Sequence, residues 1–288
     1  MSSDNKKEGV NKIGINWYPG HMAKTKRELK ENIKLVDVVY EVIDARMPIS
    51  SKIIDIDEII KDKPKILIVT KYDLCDKAIT DNILNNYMKK GYIVICCNLI
   101  KNIGISKIIE ETKKISKGIN KERIVKGLKE RKMRVLVIGI PNVGKSTLIN
   151  HLVGKNVTQV GNKPGITKNI SWIRINNDIE LMDSPGILWP KLDNQEHAYN
   201  LAAFSSIKDE VINKEDLAIY ILNKLIKLYP DYLKKRYNIN LINIDKIFDN
   251  IATSKSMYEK GGIISYEKVY NTIINDLRNG ILGPVTFD

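Results

Sequence analysis

Gly139-Ile-Pro-Asn-Val-Gly-Lys-Ser146 satisfies the phosphate-loop pattern GxxxxGK[ST] in the context that gives the pattern meaning. Arg134-Val-Leu-Val-Ile138 ahead of it is a short apolar run rich in β-branched residues. Thr147-Leu-Ile-Asn-His-Leu152 behind it reads as the first turns of a helix. A strand thus delivers the chain into a tight turn at a helix N-terminus, where backbone N–H groups of Asn142, Val143, Gly144 and Thr147 can surround phosphate oxygens. Lys145 would meet the β- and γ-phosphates and the Ser146 hydroxyl would face Mg2+. The stretch predicts a nucleoside triphosphate ligand.

Two further motifs address the same ligand. Downstream, Gly161-Asn-Lys-Pro-Gly165 is a loop leading to Thr167, placed to contact Mg2+ and sense the γ-phosphate. Residues 170–175 and 179–182 then read as a strand pair joined by a polar turn, ending in Asp183-Ser-Pro-Gly186. In this DxxG pattern Asp183 would hold a magnesium-bound water, and the Gly186 N–H would reach the γ-phosphate. Upstream, the strand 65–69 runs into Thr70-Lys71-Tyr72-Asp73, which resembles the guanine-recognition motif NKxD. The Asp73 carboxylate can accept guanine N1–H and the exocyclic amine, while Lys71 packs over the purine. Adenine would leave that carboxylate poorly paired. Thr70 stands where the motif has Asn, and a hydroxyl replaces only part of an amide's hydrogen bonding.

The order of these motifs is permuted: base recognition precedes the phosphate loop, and DxxG comes last. A parallel sheet tolerates this, because old termini can be joined and a loop opened without changing which strands are neighbours. The rest of the chain fits that frame. Residues 35–43 form a buried strand closed by Asp44-Ala-Arg46-Met-Pro48, residues 82–90 a helix, and residues 92–96 a third strand running into Cys97-Asn98. Residues 105–132 form one or two charged helices and a linker. Beyond Ile187, helical spacing over 216–229 is stopped by Pro230, 231–237 is a short basic segment, and 244–252 and 266–277 are further helices. The expected architecture is α/β: a circularly permuted P-loop GTPase domain over 13–188 and a smaller, mostly helical domain over 189–288, which the family resemblance given below implies to be RNA-binding. Lys234, Lys235, Arg236 and Lys268 are its candidates for phosphate-backbone contact, or else part of a solvated charged face.

Forty-seven Lys and Arg against 34 Asp and Glu give a formal charge of +13, a surplus too large for a nucleotide to explain and suited either to RNA or to a basic, solubilising surface. Cys75, Cys96 and Cys97 have neither metal-ligand spacing nor a disulfide framework. The polar residues 1–12 lack a secretory signal, and no apolar stretch approaches membrane-spanning length. A soluble, cytoplasmic protein with no membrane partner is expected.

The chain from about Trp17 to Phe287 resembles the bacterial ribosome-biogenesis GTPase A family, within the circularly permuted GTPases. The matching stretches are Trp17-Tyr-Pro-Gly-His-Met22, Asp44-Ala-Arg46, residues 70–73, 139–146 and 164–167, DSPGI at 183–187, Tyr229-Pro-Asp-Tyr-Leu-Lys-Lys-Arg-Tyr237 and the tail 279–287. The resemblance implies a GTPase that joins a late large-ribosomal-subunit precursor in its GTP state. It would contact 23S rRNA and ribosomal proteins, promote maturation and leave after hydrolysis. It also maps the family's catalytic histidine onto His21, since Ile187 occupies the position where small GTPases place Gln. It equates Asn142 with the phosphate-loop Asn that supports a charge-compensating K+. Thr70 and Cys97-Asn98 depart from the family's usual base-binding pattern. Two other readings stay open at the level of sequence: a GTP-dependent interaction protein with negligible turnover, and an ATPase, which would leave Asp73 unexplained.

Overall fold

Val38-Val-Tyr-Glu-Val-Ile-Asp44 shows no apolar/polar alternation, and the strand it forms, β1, is buried along its whole length. Such a run fits a strand covered on both faces, as in a parallel sheet with helices on each side. A computed structural model, which describes residues 30–53, 56–60, 63–155, 171–175, 178–183, 194–239 and 246–288, has this arrangement. Strands β1 (Val38–Asp44), β2 (Lys65–Thr70), β3 (Ile93–Cys96), β4 (Met133–Ile138), β5 (Ser171–Arg174) and β6 (Ile179–Asp183) form one sheet in the order β3-β2-β1-β4-β6-β5. Only β5 and β6 pair antiparallel.

Parallel pairing brings the C-terminal ends of β1, β2, β4 and β6 out along one edge. Asp44 lies level with Thr70, and Asp183 level with Val137 just before the phosphate loop. The strand that carries the phosphate loop is fourth in sequence yet central in the sheet. Permutation has therefore changed the chain order while leaving the three motifs on one edge, where open α/β sheets bind ligands.

Helices α1 (Ile56–Ile60), α2 (Lys77–Lys89), α3 (Ile105–Val125) and α4 (Lys145–Val153) accompany the sheet. Helix α2 begins five residues before its expected start because Asp76 caps it, its Oδ1 accepting the N–H groups of Ala78 (3.0 Å) and Ile79 (3.4 Å). The C-terminal region is helical: α5 (Gln195–Ala203), α6 (Lys214–Leu228), α7 (Pro230–Tyr237), α8 (Ile247–Ser254) and α9 (Tyr266–Arg278). Pro230 both follows α6 and opens α7, since a first-turn proline loses no helical hydrogen bond. The basic segment 231–237 is therefore a helix. The short α5 escapes sequence periodicity because it buries small residues, Ala198, Ala202 and Ala203, beside Leu201.

The tail after α9 crosses back over the sheet's edge. The Val285 N–H donates to Leu74 O (3.0 Å) and the Phe287 N–H to Arg46 O (2.9 Å). The Asp288 carboxylate accepts the N–H groups of Ile49 (2.6 Å) and Ser50 (2.9 Å). The Phe287 ring meets Phe204 edge-on at 5.3 Å. The larger hydrophobic core runs from the sheet into the C-terminal helices, and a smaller one gathers Ile43, Ala45, Leu67, Val69, Cys75 and Leu84. The expected boundary near residue 188 lies outside the described residues.

Three residues of the stretch 229–237 tie it to the rest of the chain. The Tyr229 hydroxyl accepts the Thr286 N–H (3.0 Å), while Arg236 forks onto Asp276 (2.7 and 3.0 Å), which also accepts from the Tyr237 hydroxyl (3.0 Å). Of the four candidate phosphate contacts, Arg236 pairs with Asp276, Lys234 pairs with Asp231, Lys268 donates to Tyr258 O, and Lys235 is exposed. Burial pushes the free thiols up, to about 11 at Cys96 and about 12 at Cys97, so they stay protonated at neutral pH. Among the described residues no helix is long and apolar enough to cross a membrane.

Candidate functional site

The phosphate loop leaves β4 at Gly139, where a Cβ would stand 2.5 Å from Val42 O. Only glycine lets the loop pass so close to β1. Gly144 closes the loop in the left-handed region (φ 98°), and α4 starts at Lys145. Lys145 is buried, its Nζ donating to Ile140 O at 3.0 Å, with Ser146 and Thr147 half-buried in the first helical turn. The N-terminus of α4 thus faces the phosphate loop, and a helix N-terminus suits an anion.

The base-recognition loop is tied to the phosphate loop by two side chains. Thr70 is fully buried, and its hydroxyl lies 2.5 Å from Val143 O and 3.0 Å from Ile43 O. With one proton it donates to one carbonyl at a time, and the Val143 contact is the shorter. The hydroxyl that replaces the motif's amide therefore keeps a link between the two loops. Lys71, in a left-handed conformation (φ 55°), donates its Nζ to Asn142 O and to Asp44 Oδ2, each at 2.8 Å. Asp73 is exposed on the wall of the adjoining cavity.

Asp44 is the anchor that sequence reading treated as a polar strand end. Its carboxylate is fully buried and accepts the Arg46 N–H (3.0 Å), Arg46 Nε (3.0 Å) and Nη2 (2.8 Å), and Lys71 Nζ. Burial alone would raise its pKa, but the charges and hydrogen bonds of Arg46 and Lys71 outweigh it and hold the carboxyl well below the usual range. Burial pulls the Lys71 pKa down, opposed by Asp44. The available signal was an Asp-x-Arg that begins on the last residue of a buried strand, where charges need internal partners.

The cavity beside these residues measures about 700 Å³, and its walls come from both halves of the chain. Thr70, Lys71, Asp73, Gly144 and Thr147 supply one side, joined by Asn98, Leu99 and Ile100 from the loop after β3. Cys97, by contrast, is buried beneath that loop. Phe204, Ser205 and Arg278 supply the facing side. The Asn142 Nδ2 donates to Ser205 O (2.6 Å) and the Ser206 hydroxyl to Pro141 O (2.9 Å), so the helical region grips the phosphate loop directly. Arg46 lies over the Phe204 ring at 4.3 Å and donates to Arg278 O at 3.1 Å. None of these helical-region residues carried a sequence signal, because their role depends on tertiary placement alone.

The structure thus brings together Thr70, Lys71, Asp73, Asn142, Val143, Gly144, Lys145, Ser146 and Thr147. His21, Thr167 and Gly186 lie outside the described residues, and Asp183 is placed by its backbone, on the strand beside β4. For Mg2+, the Ser146 hydroxyl in the first turn of α4 and the end of β6 flank the phosphate loop from adjacent elements, and both carry hard oxygen donors. That placement fits the metal.

The family model described as 50S ribosome-binding GTPase matches residues 134–255, from the start of β4 into the helical region. Ribosome biogenesis GTPase A of Bacillus pumilus is 42% identical over 276 residues, covering 95% of this chain and 98% of the relative. The chain belongs to the ribosome biogenesis GTPase A family. The family's member from Thermotoga maritima is 30% identical over 275 residues, covering 95% of this chain and 94% of its own. Among solved structures, GNP-bound YlqF from T. maritima aligns with a TM-score of 0.63 and 25% identity, over 92% of this chain and 97% of its own. GDP-bound YlqF shares the fold, with a TM-score of 0.64. Membership makes the chain a GTP-hydrolysing enzyme that acts in ribosome biogenesis.

Proposed function

We propose that this GTPase binds a late precursor of the large ribosomal subunit in its GTP state, contacts 23S rRNA and ribosomal proteins, promotes maturation of the rRNA, and dissociates after hydrolysis. The observation that supports the reading most is the shared wall of the nucleotide cavity. Asn142 and Pro141 of the phosphate loop are bonded to Ser205 and Ser206, so a shift of the loop on phosphate loss bears directly on the helical region. Name and site agree here: a family model described as 50S ribosome-binding covers both partners of that contact.

In this reading Asp73 accepts the guanine edge, and Thr70 and Lys71 hold the base loop against the phosphate loop. Lys145 and the N–H groups of residues 142–147 carry the phosphates. Ser146, Thr167 and a water held by Asp183 would ligate Mg2+, which when bound neutralises charge on the β- and γ-phosphate oxygens. Ile187 has no polar group to orient water, so His21 takes that role, and the Asn142 side chain supports K+. The domain division at 188/189 separates the nucleotide-handling part from the helical part that meets RNA.

The test is the initial rate of GTP and ATP hydrolysis with Mg2+, in KCl and in matched NaCl, with and without purified large subunits or their assembly intermediates. A GTP-selective rate raised by particles and by K+ is expected. No stimulation by subunits or by intermediates would overturn the assembly-factor reading, and equal rates in the two salts would remove K+.

A further inference from the structure

Helix α3 and the segment after it hold a disproportionate share of the positive charge. Residues 105–132 contain ten Lys and Arg against four Glu, a net +6 within a chain of +13. Much of this charge is organised on one face. Lys113, Lys117 and Lys121 follow at i, i+4 and i+8, which on an α-helix stacks them in a row about 6 Å apart. That step is comparable with the separation of successive phosphates along one nucleic-acid strand. All three are exposed, and none has an ion-pair partner among the described residues. Lys114, one position off the row, is instead neutralised by Glu110 and Glu111.

The row borders a groove of about 850 Å³ between α3 and the entry to β4. Arg131 and Lys132 line its far side, each already paired, with Asp37 and Glu180, and Glu130 and Asp178 are its acidic members. The groove lies at the N-terminal end of β4, whereas the phosphate loop leaves the C-terminal end. Six strand residues separate the two ends by about 20 Å. The face therefore has no part in holding the nucleotide.

We propose that the α3 groove is a second RNA-binding face, on the nucleotide-binding half of the chain, where Lys113, Lys117 and Lys121 neutralise phosphates of one strand of an RNA duplex. The proposal rests on the ribosomal reading for its biological ligand, and charge complementarity carries it. An exposed cationic row without counter-charge is what a polyanion with released counterions requires. The alternative occupant is a protein seated on Ile124, Val125 and Leu128, which are 55%, 82% and 50% exposed at the end of the same helix.

The test measures binding of the full chain to a fluorescein-labelled RNA duplex by anisotropy over a KCl series, for the unmodified protein and for K113Q/K117Q/K121Q. Loss of three phosphate contacts lowers the slope of log K against log salt by about 3, and weakens binding at least about tenfold at moderate salt. GTP affinity and circular dichroism stay unchanged. An unchanged slope, or no duplex binding by the unmodified protein at low salt, overturns the proposal. A second arm measures co-sedimentation with purified large-subunit precursors. If the unmodified protein sediments and the triple variant sediments equally, the α3 face is wrong and the ribosomal reading stands. If the unmodified protein does not sediment, the ribosomal reading fails and the duplex slope alone decides the face. Binding abolished by V125D/L128D but not by the lysine variant assigns the groove to a protein and overturns the RNA proposal.

Discussion

Replacing Asp44 by Asn tests the buried ion cluster on which the base-recognition loop rests. The substitution keeps the shape and removes the single negative charge between Arg46 and Lys71. Arg46 is 3% exposed, so its guanidinium cannot reach water without moving the loop that follows β1. The new amide must also turn an NH2 toward cationic donors on the side where Oδ2 accepted from Arg46 Nη2 and Lys71 Nζ. Breaking a buried pair in this way costs about 3–5 kcal/mol. Lys71 keeps 29% of its side chain exposed and can turn its ammonium outward, which favours the lower end of that range. For a chain of this size about 3 kcal/mol corresponds to a fall in Tm of roughly 6–12 °C. Scanning fluorimetry of the nucleotide-free proteins at pH 7 measures it, and GTP titration should show weaker binding, because Lys71 loses an anchor. The folded-state pKa of Asp44 is depressed, so its stabilisation is fully present above the unfolded value of about 4 and is lost as pH falls below it. The gap between the two proteins should therefore narrow in acid. A loss under about 1 kcal/mol at pH 7, or a gap that widens in acid, would refute the cluster's role.

Four further substitutions probe separate links. Glu41→Gln should raise Tm at pH 7: burial raises the Glu41 pKa, so its contribution is lost as pH rises, and the gain should grow from pH 4 upward. Its Oε1 bond from the Ile53 N–H survives in Gln, and Oε2 has only the Lys52 ammonium facing it at 3.3 Å; a lower Tm at pH 7 would contradict this. Thr70→Val leaves Val143 O without its donor and should cost about 1–3 kcal/mol and weaken GTP binding, measured by urea unfolding and titration. Asp73→Asn should reduce the preference for GTP over ATP in competition, and unchanged selectivity would remove Asp73 from base recognition. His21→Ala should leave GTP affinity intact and lower particle-stimulated turnover by about 10²–10⁴-fold if His21 orients the attacking water; equal stimulated rates would exclude it.

The phosphate loop, the strands that frame it and the permuted motif order were legible because each is local: a β-branched run, a fixed glycine spacing, a helix start. Thr70 was legible as a departure, but its compensation was not. That the hydroxyl bonds Val143 O depends on β2 and the phosphate loop being neighbours across β1, which strand order in space decides. Asp44 and Arg46 read as a strand end because sequence shows their charge without their burial. Ser205, Ser206 and Arg278 were invisible for a stronger reason: Ser205 and Ser206 bond to Asn142 and Pro141, more than sixty positions away, and Arg278 meets Ser205 only across the cavity wall. In the basic segment 231–237, spacing of charge could not show that Arg236 is forked onto Asp276.

These long-range links bear on how the two halves can move. Helix α9 ends at Arg278, whose carbonyl accepts from Arg46 and whose guanidinium donates to Ala202 O (2.9 Å), Ala203 O (3.1 Å) and Asp209. Ten residues later the tail is bonded to the loop after β1, and between them Val285 holds Leu74, the residue next to Asp73. A rotation of the helical region that opened the nucleotide cavity would have to break these bonds or carry the base loop along. Since Thr70 and Lys71 fasten that loop to the phosphate loop, carrying it along would displace both ends of the bound nucleotide's site together. Moving the helical region with the base loop fixed instead exposes Arg46, Phe204 and Phe287, which are 3%, 2% and 0% exposed. Burial of those aromatic rings stabilises each by about 1.5–3 kcal/mol, which moving the helical region alone would forfeit.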